Sequence, residues 1–173
     1  MTREMDYLTY VENRLKRDTG TKADLKRALS GEEKHLRATY PVLLPLLTGI
    51  SQQQQEVWIF VASLSAFYSQ TIPKEFSKQS NFGHSCFALQ KKTNSNGVER
   101  RFRALLDTSL ADIQTPIASL VRQMKSKGVS LHYPQLLADL NQWEHPDQYI
   151  QDRWARSFWQ AEAPSESSNG QEE

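Results

Sequence analysis

The chain has 173 residues, of which 38% are hydrophobic and 24% are charged, and this composition excludes a fibrous or a wholly disordered protein. No apolar run approaches the ~20 residues that span a membrane, and the first ten residues lack the apolar core of a secretion signal. The one cysteine, Cys86, permits no internal disulfide and no cysteine-based zinc site. We therefore expect a single-domain cytoplasmic protein without a membrane partner.

The formal net charge of +1 hides a strong segregation of charge along the chain. Residues 74–133 carry a net charge of +6, whereas residues 134–173 carry a net charge of −6. Such a basic segment can attract a partner even in a nearly neutral protein, because the local field decides what a surface binds. The last residues, 161–173, hold four Glu and neither Lys nor Arg. This composition predicts an acidic disordered tail after a helical domain that spans residues 1–160.

Apolar residues recur at helical spacing from the beginning of the chain. Leu8, Val11 and Leu15 predict an amphipathic helix over the first ~17 residues. Thr21 suits the start of a second helix, since it begins a sequence that resembles a capping box. Gly31 suits the end of that helix.

The centre of the chain predicts a buried helix between two weaker ones. Pro41 and Pro45 interrupt an apolar stripe, which indicates a short or bent helix. Residues 51–69 follow with apolar residues on nearly all sides, so we expect the buried central helix here. A weaker helix is predicted at residues 84–92, and the turn TNSNG follows it.

The pattern becomes clearer from Val98 onward. Phe102 and its apolar neighbours predict one helix, and the next helix ends at Gly128 with Thr115 as its expected cap. Two further helices follow, and Pro146 suits the first turn of the last one. No long segment alternates with a period of two residues. The sequence therefore predicts an all-α fold, a bundle of roughly eight helices in one domain.

Several of these helices place basic side chains away from their apolar stripes. Arg100 and Arg103 are predicted opposite the stripe of their helix, and Arg101 flanks it. Arg122 and Lys125 are predicted on the outer face of the following helix. Two more basic residues belong to the second helix, where Arg27 is opposite the stripe and Lys26 is at its side. The helical pattern by itself is more typical of an ordinary solvated surface, whereas the excess of positive charge is suggestive of phosphate contacts.

The sequence offers few groups for catalysis. Its four histidines are scattered without the spacing of metal ligands, and the pair His84 and Cys86 is more typical of loop and core positions. No glycine-rich phosphate loop or hydrolase motif is present. Trp143 and Trp154 have the spacing of core residues, whereas Trp159 remains open between packing and base stacking. We expect no enzyme activity, no cofactor and no metal.

Four segments together resemble a known family. They are residues 18–29 (DTGTKADLKRAL), 98–108 (VERRFRALLDT), 120–143 (LVRQMKSKGVSLHYPQLLADLNQW) and 149–159 (YIQDRWARSFW). Their order and spacing are similar to those of the CasB family, the small subunit of the type I-E CRISPR surveillance complex called Cascade. The segment EHPDQ at 144–148 departs from the family pattern, because many relatives are more basic there.

The resemblance implies a non-catalytic helical subunit that pairs into a homodimer beside the backbone subunits and the large subunit of the complex. It further implies contact with guide RNA and target DNA, and a role in holding target DNA and the displaced strand in the R-loop. Sequence recognition is left to guide–target pairing in such complexes. Carried over by position, the phosphate-binding residues are Arg27, Arg101 and Arg122. The helical faces add Lys26, Arg100, Arg103 and Lys125.

Two other functions are compatible with the same basic helices. A free-standing single-stranded nucleic-acid-binding or helical adaptor protein would use these faces with an affinity of its own. A nuclease would require clustered carboxylates for metal binding, and the sequence shows no such cluster.

Overall fold

The fold consists of α-helices, as seen in a computed structural model that describes residues 2–72 and 80–160. The helices in these two ranges are α1 (Arg3–Arg17), α2 (Thr19–Ala28), α3 (Glu33–Leu43), α4 (Gln52–Phe67), α5 (Phe82–Thr93), α6 (Gly97–Leu106), α7 (Gln114–Lys127), α8 (Tyr133–Asn141) and α9 (Tyr149–Gln160). Two 3-10 helices, Leu44–Leu47 and Leu110–Asp112, extend α3 and precede α7. The predicted all-α bundle is confirmed, with nine helices in the described ranges instead of roughly eight.

Neither strands nor membrane spans occur in the part of the chain that the structure describes. Its residues form no β-ladder, and none of its helices is long and apolar enough to cross a bilayer. The predicted tail at 161–173 lies outside the described residues.

Helix α4 is the centre of the fold, and the prediction of a buried central helix is confirmed. Its residues from Val57 to Leu64 are all buried. The hydroxyl of Tyr7 in α1 donates to the backbone carbonyl of Trp58 at 3.0 Å, and the hydroxyl of Tyr133 in α8 donates to that of Tyr68 at 2.6 Å. These two tyrosines hold α1 and α8 against α4 without leaving their hydroxyl groups unsatisfied.

The remaining helices form two groups on either side of the centre. Helices α1, α2 and α3 pack with α4, whereas α5, α6, α7 and α9 pack mainly with one another. Helix α4 connects the groups through its contact with α7. Helix α8 packs on α1 and α4 and reaches α9 through the hydrogen bond between Asp139 and Trp154. The basic residues predicted from sequence are therefore divided between two parts of the molecule.

Helices α5 and α9 are in direct backbone contact, and this contact depends on Gly83. A Cβ atom built on Gly83 would clash with the backbone carbonyl of Trp154. Aromatic side chains continue the interface on either side of the glycine, with Phe82 against Trp154 at 5.2 Å and Phe87 against Phe158 at 6.0 Å between ring centroids.

Three helix starts differ from the sequence prediction. Helix α2 begins at Thr19 and not at Thr21, because the carboxylate of Asp18 accepts from the backbone N–H of Thr21 at 3.0 Å and caps the helix. Helix α7 begins after Ile113, without a side-chain cap from Thr115. Pro146 is not part of α9, because Gln148 has a left-handed φ of 51° and the helix follows it.

A buried carboxylate connects α8 to α9. Asp139 is 1% exposed and accepts from the side-chain amide of Gln135 at 2.7 Å and from the indole N–H of Trp154 at 2.8 Å. Burial raises the pKa of Asp139 above the ordinary value, and the two hydrogen bonds and the nearby charge of Arg153 oppose the rise. Trp154 and Trp143 are 0% and 2% exposed, so their predicted core positions are confirmed.

The substitution Gly83→Ala is expected to destabilise the fold, because the added methyl group pushes α9 away from α5. Forcing one extra methyl group into a packed site costs about 1–3 kcal/mol. At about 2–4 °C per kcal/mol for a chain of this size, thermal unfolding monitored by circular dichroism should occur several degrees lower. Gly97→Ala is the matched control, since its Cβ would meet only the Ser95 hydroxyl at 3.3 Å. Equal unfolding temperatures for the two variants would contradict the proposed role of Gly83.

The substitution Asp139→Asn is expected to change the pH dependence of stability. Because burial raises the folded-state pKa of Asp139, its contribution to stability is complete below the unfolded-state pKa of ~3.9 and is lost as the pH rises through the folded-state value. Asn cannot ionise and keeps an acceptor for Trp154. The unfolding temperature of the variant relative to the wild type should therefore rise between pH 4 and pH 8. The exposed control Asp147→Asn should show little change, and an equally flat difference for Asp139→Asn would disprove the assignment.

Candidate nucleic-acid interface

The ends of three helices meet at one corner of the molecule. The ammonium group of Lys92, in the last turn of α5, donates to the carbonyl of Lys127, the last residue of α7, at 3.1 Å. Asn94 ends α5 in a left-handed conformation with φ 54°, and α6 begins at Gly97. The end of α5, the beginning of α6 and the end of α7 are therefore neighbours.

This corner carries a concentration of positive charge that we call the basic end. Its residues share three properties: they are basic, they are exposed, and they lie on α5, α6 or α7 within about two turns of the corner. They are Lys91, Lys92, Arg100, Arg101, Arg103, Arg122, Lys125 and Lys127. Part of this charge has a structural cause, because lysines near a helix C-terminus interact favourably with the helix dipole.

Three arginines of the basic end have no partner within residues 2–72 and 80–160. Arg100, Arg101 and Arg122 are exposed, and none forms a hydrogen bond, ion pair or ring contact with the described residues. An arginine in this state presents a planar group of donors that suits a phosphate. These side chains are the best-prepared phosphate ligands among the seven predicted residues.

Arg103 has an additional role between α6 and α9. Its guanidinium donates to the Glu99 carboxylate at 2.8 Å and lies over the Trp159 ring at 5.3 Å. The indole N–H of Trp159 donates to the same carboxylate at 3.3 Å. The hydrogen bonds from Arg103 and Trp159 lower the pKa of Glu99. Trp159 therefore packs on α6, and Arg103 is partly neutralised while its side chain remains 65% exposed.

Lys125 is also engaged by the protein. Its ammonium group donates to the carbonyl of Phe67 at 2.9 Å and lies 4.3 Å from the centroid of the Phe67 ring. Phe67 is the last residue of α4, so Lys125 satisfies a carbonyl at that helix end. This lysine contributes charge to the basic end, but its donor atoms are not all available.

The two predicted residues on α2 belong to a different group of helices from the basic end. Arg27 is exposed and forms an ion pair with Asp24 at 3.4 Å, and Lys26 is exposed as well. Helix α2 packs against α1, α3 and α4. The structure therefore brings five of the seven predicted residues together on α6 and α7 and places the other two on a separate group of helices.

Besides Lys127, which belongs to the same helix as Lys125, sequence reasoning missed the pair Lys91 and Lys92 as members of the site. Their signal in the sequence is a basic pair before a turn, which is common at helix ends. Only the contact between Lys92 and Lys127 shows that this pair extends the charge of α6 and α7.

His84 and Cys86 both have structural roles: His84 caps α5, and Cys86 is part of the core. His84 Nδ1 accepts from the backbone N–H of Asn81 at 3.2 Å and completes the cap of α5. Cys86 is 0% exposed, and burial raises the pKa of its thiol. Within the described residues, no group of three or more His, Cys, Asp or Glu side chains is arranged to hold a metal ion.

Comparison with known proteins identifies the family. Residues 21–159 match the family model of CRISPR-associated protein Cse2. The chain belongs to this family. The CRISPR-associated protein Cse2 of Thermus thermophilus is 26% identical over 166 residues, which cover 95% of this chain and 92% of the relative.

Solved structures share the fold of this Cse2 family member. The crystal structure of CasB from Thermus thermophilus is 23% identical, with a TM-score of 0.76 over 92% of this chain and 99% of that chain. A chain of a CRISPR RNA-guided surveillance complex is 19% identical, with a TM-score of 0.76 over 91% of this chain and 92% of that chain. The predicted membership of the CasB family is confirmed by the family match and these relatives.

Proposed function

We propose that this Cse2 family member is the small subunit of a type I-E RNA-guided surveillance complex in antiviral defence, and that its basic end binds nucleic-acid phosphates there. The observation that carries the proposal is the set of exposed arginines on neighbouring helices α6 and α7 that have no partner among the described residues. Two further observations support it: the family match, and the similar fold of a chain in a CRISPR RNA-guided surveillance complex.

The chemistry of the basic end suits phosphate contacts without base recognition. Its cations lie on exposed helix faces, whereas the aromatic residues of the same helices are in the core or packed between helices. Contacts of this kind position a strand but carry no sequence information. In the proposed complex they stabilise target DNA and the displaced strand in the R-loop, while the guide RNA reads the sequence.

The same proposal names the partners of the subunit. We infer a homodimer that contacts the backbone and large subunits, the guide RNA and the target DNA in the cytoplasm. Arg27 and Lys26 belong to this proposal as a second and smaller basic site. Its position on a separate group of helices favours contact with a different strand or nucleic-acid segment from that held by the basic end.

We also propose that the subunit does not catalyse a reaction. Support comes from the described residues, in which no cluster of metal-ligating side chains is present and the one cysteine is buried. The purified chain should therefore leave labelled single- and double-stranded DNA and RNA intact in the presence of Mg²⁺ or Mn²⁺. Cleavage that co-purifies with the chain and disappears on substitution of a single carboxylate would refute this part of the proposal.

The variant Arg100→Ala, Arg101→Ala and Arg122→Ala tests the basic end in the reconstituted complex. The complex should assemble normally but bind target DNA more than about tenfold more weakly at low salt, because each charge-assisted hydrogen bond contributes about 1.5–3 kcal/mol. The slope of log affinity against log salt should fall by about one for each lost phosphate contact. The measurement is target-DNA affinity across a salt series.

Control variants with the same change in net charge distinguish two causes of weaker DNA binding: the loss of specific phosphate contacts and the loss of total charge. Arg17→Ala, Arg37→Ala and Arg156→Ala remove the same charge from exposed positions outside the basic end. Lys26→Ala with Arg27→Ala tests the α2 site, and it should reduce affinity less than the basic-end variant does. Equal affinities and salt slopes for the basic-end variant and the outside control would show that the basic end is only solvated surface. Tight DNA binding by the chain without other subunits would instead favour a free-standing nucleic-acid-binding protein.

A further inference from the structure

Helix α9 runs beside α5 in the same direction. Phe82 at the beginning of α5 contacts Trp154, and Phe87 one and a half turns later contacts Phe158. Because the residue numbers increase along both helices from the first contact to the second, the helices are parallel. The C-terminal end of α9 therefore lies beside the C-terminal end of α5. The next positions along α5 are those of Lys91 and Lys92, which belong to the basic end.

The last turn of α9 is fixed on α6 as well. The Trp159 ring lies 5.6 Å from the Phe102 ring, and the Arg103 guanidinium lies 5.3 Å from the Trp159 centroid. Gln160, the last described residue of α9, therefore lies close to the helix that carries Arg100, Arg101 and Arg103. Side-chain packing of Trp159 on α6 therefore fixes the position of this end of α9.

The residues that follow in the sequence have the opposite charge to the basic end. Residues 161–173 contain Glu162, Glu166, Glu172 and Glu173 and no Lys or Arg, whereas the basic end contains eight cations. The covalent geometry of 13 residues permits a span of at most roughly 45 Å, at about 3.3–3.6 Å per residue. Helix α6, with 10 residues, is roughly 15 Å long, so the segment can reach the whole basic end.

We propose that residues 161–173 dock on the basic end and compete there with nucleic-acid phosphates. This inference rests on the proposed function, because it gives that site an internal competitor. A tethered segment acts at an effective concentration near millimolar, although each exposed ion pair is weak. The competitor therefore suppresses weak, non-specific binding, whereas an R-loop that makes many phosphate contacts at once displaces it.

The first experiment neutralises the segment in the full chain. Glu162→Gln, Glu166→Gln, Glu172→Gln and Glu173→Gln should raise affinity for a fluorescent single-stranded DNA about 3- to 30-fold at about 50 mM salt, if each lost pair is as weak as typical surface pairs. At about 500 mM salt the gain should disappear, since exposed charges are then screened. The matched control carries the same change of net charge at exposed positions elsewhere: Glu32→Gln, Glu33→Gln, Glu56→Gln and Glu144→Gln.

Combination with the basic-end variant shows where the segment acts. In the background Arg100→Ala, Arg101→Ala and Arg122→Ala, neutralising the segment should no longer raise affinity. Equal gains for the segment variant and the matched control would overturn the inference, because net charge alone would explain them. The proposed function would survive that result as long as the basic-end arginines still determine affinity. DNA binding that depends on neither set of residues would overturn both.

A second experiment tests docking without nucleic acid. A carbodiimide joins carboxylates to lysine amines that are in contact, and mass spectrometry identifies the linked peptides. At low salt, residues 161–173 should link within one molecule to Lys91, Lys92, Lys125 or Lys127 and not to the distant Lys34 of α3. These links should disappear at high salt, where exposed charges are screened. Links to Lys34 at the same yield, or no links to the basic end, would disprove docking whatever the DNA measurements show.

Discussion

The close contact between α5 and α9 is the constraint on which the rest of this structure depends. Gly83 allows the backbones to touch at Trp154, and this contact fixes where the following turns of α9 lie. Phe158 then stacks on Phe102 at 4.6 Å, and Trp159 reaches Arg103 and Glu99. Helix α6 is thereby held with its apolar face inward, and Arg100 and Arg101 are left on the solvent side.

Some basic side chains of α6 and α7 contact other parts of the protein, whereas others have no partner among the described residues. Lys125 satisfies the carbonyl of Phe67, and Arg103 joins α6 to α9 through Glu99 and Trp159. Such contacts give a basic residue a structural function and reduce its capacity for an external anion. Arg101 and Arg122 lack partners among the described residues, so removing them should cost the fold little. This difference makes the basic residues separable by mutation into a structural set and a set that we propose to bind phosphate.

The proposed function requires a rigid, basic surface that binds nucleic acid independently of its base sequence. Helices α5, α6 and α7 supply rigidity because their apolar faces share one core, which includes Leu89, Leu105 and Val121. The donors that face outward are long side chains, which can follow the path of a phosphate backbone. Within a guided complex such a surface stabilises a strand whose sequence has been read elsewhere.

The sequence by itself determined the fold class and the position of most helices. The spacing of Leu8 and Val11 predicts α1, and the apolar run within residues 51–69 predicts α4, because both signals are local. It also identified the exposed arginines of α6 and α7, since helical periodicity separates a solvent face from an apolar one. A local signal gave a wrong helix start in α9. Pro146 suited the first turn, but the helix begins after Gln148, which has a left-handed backbone conformation.

Only the tertiary structure decided which charges act together. Lys91 and Lys92 are separated from Lys127 by more than thirty residues, and their proximity depends on how α6 and α7 return to the end of α5. Tertiary packing likewise separated Arg27 from Arg122, because α2 joins the opposite group of helices. It also resolved the two interpretations of Trp159 in favour of packing. Helical periodicity shows which side of a helix faces solvent, but it contains no information on which helices are neighbours.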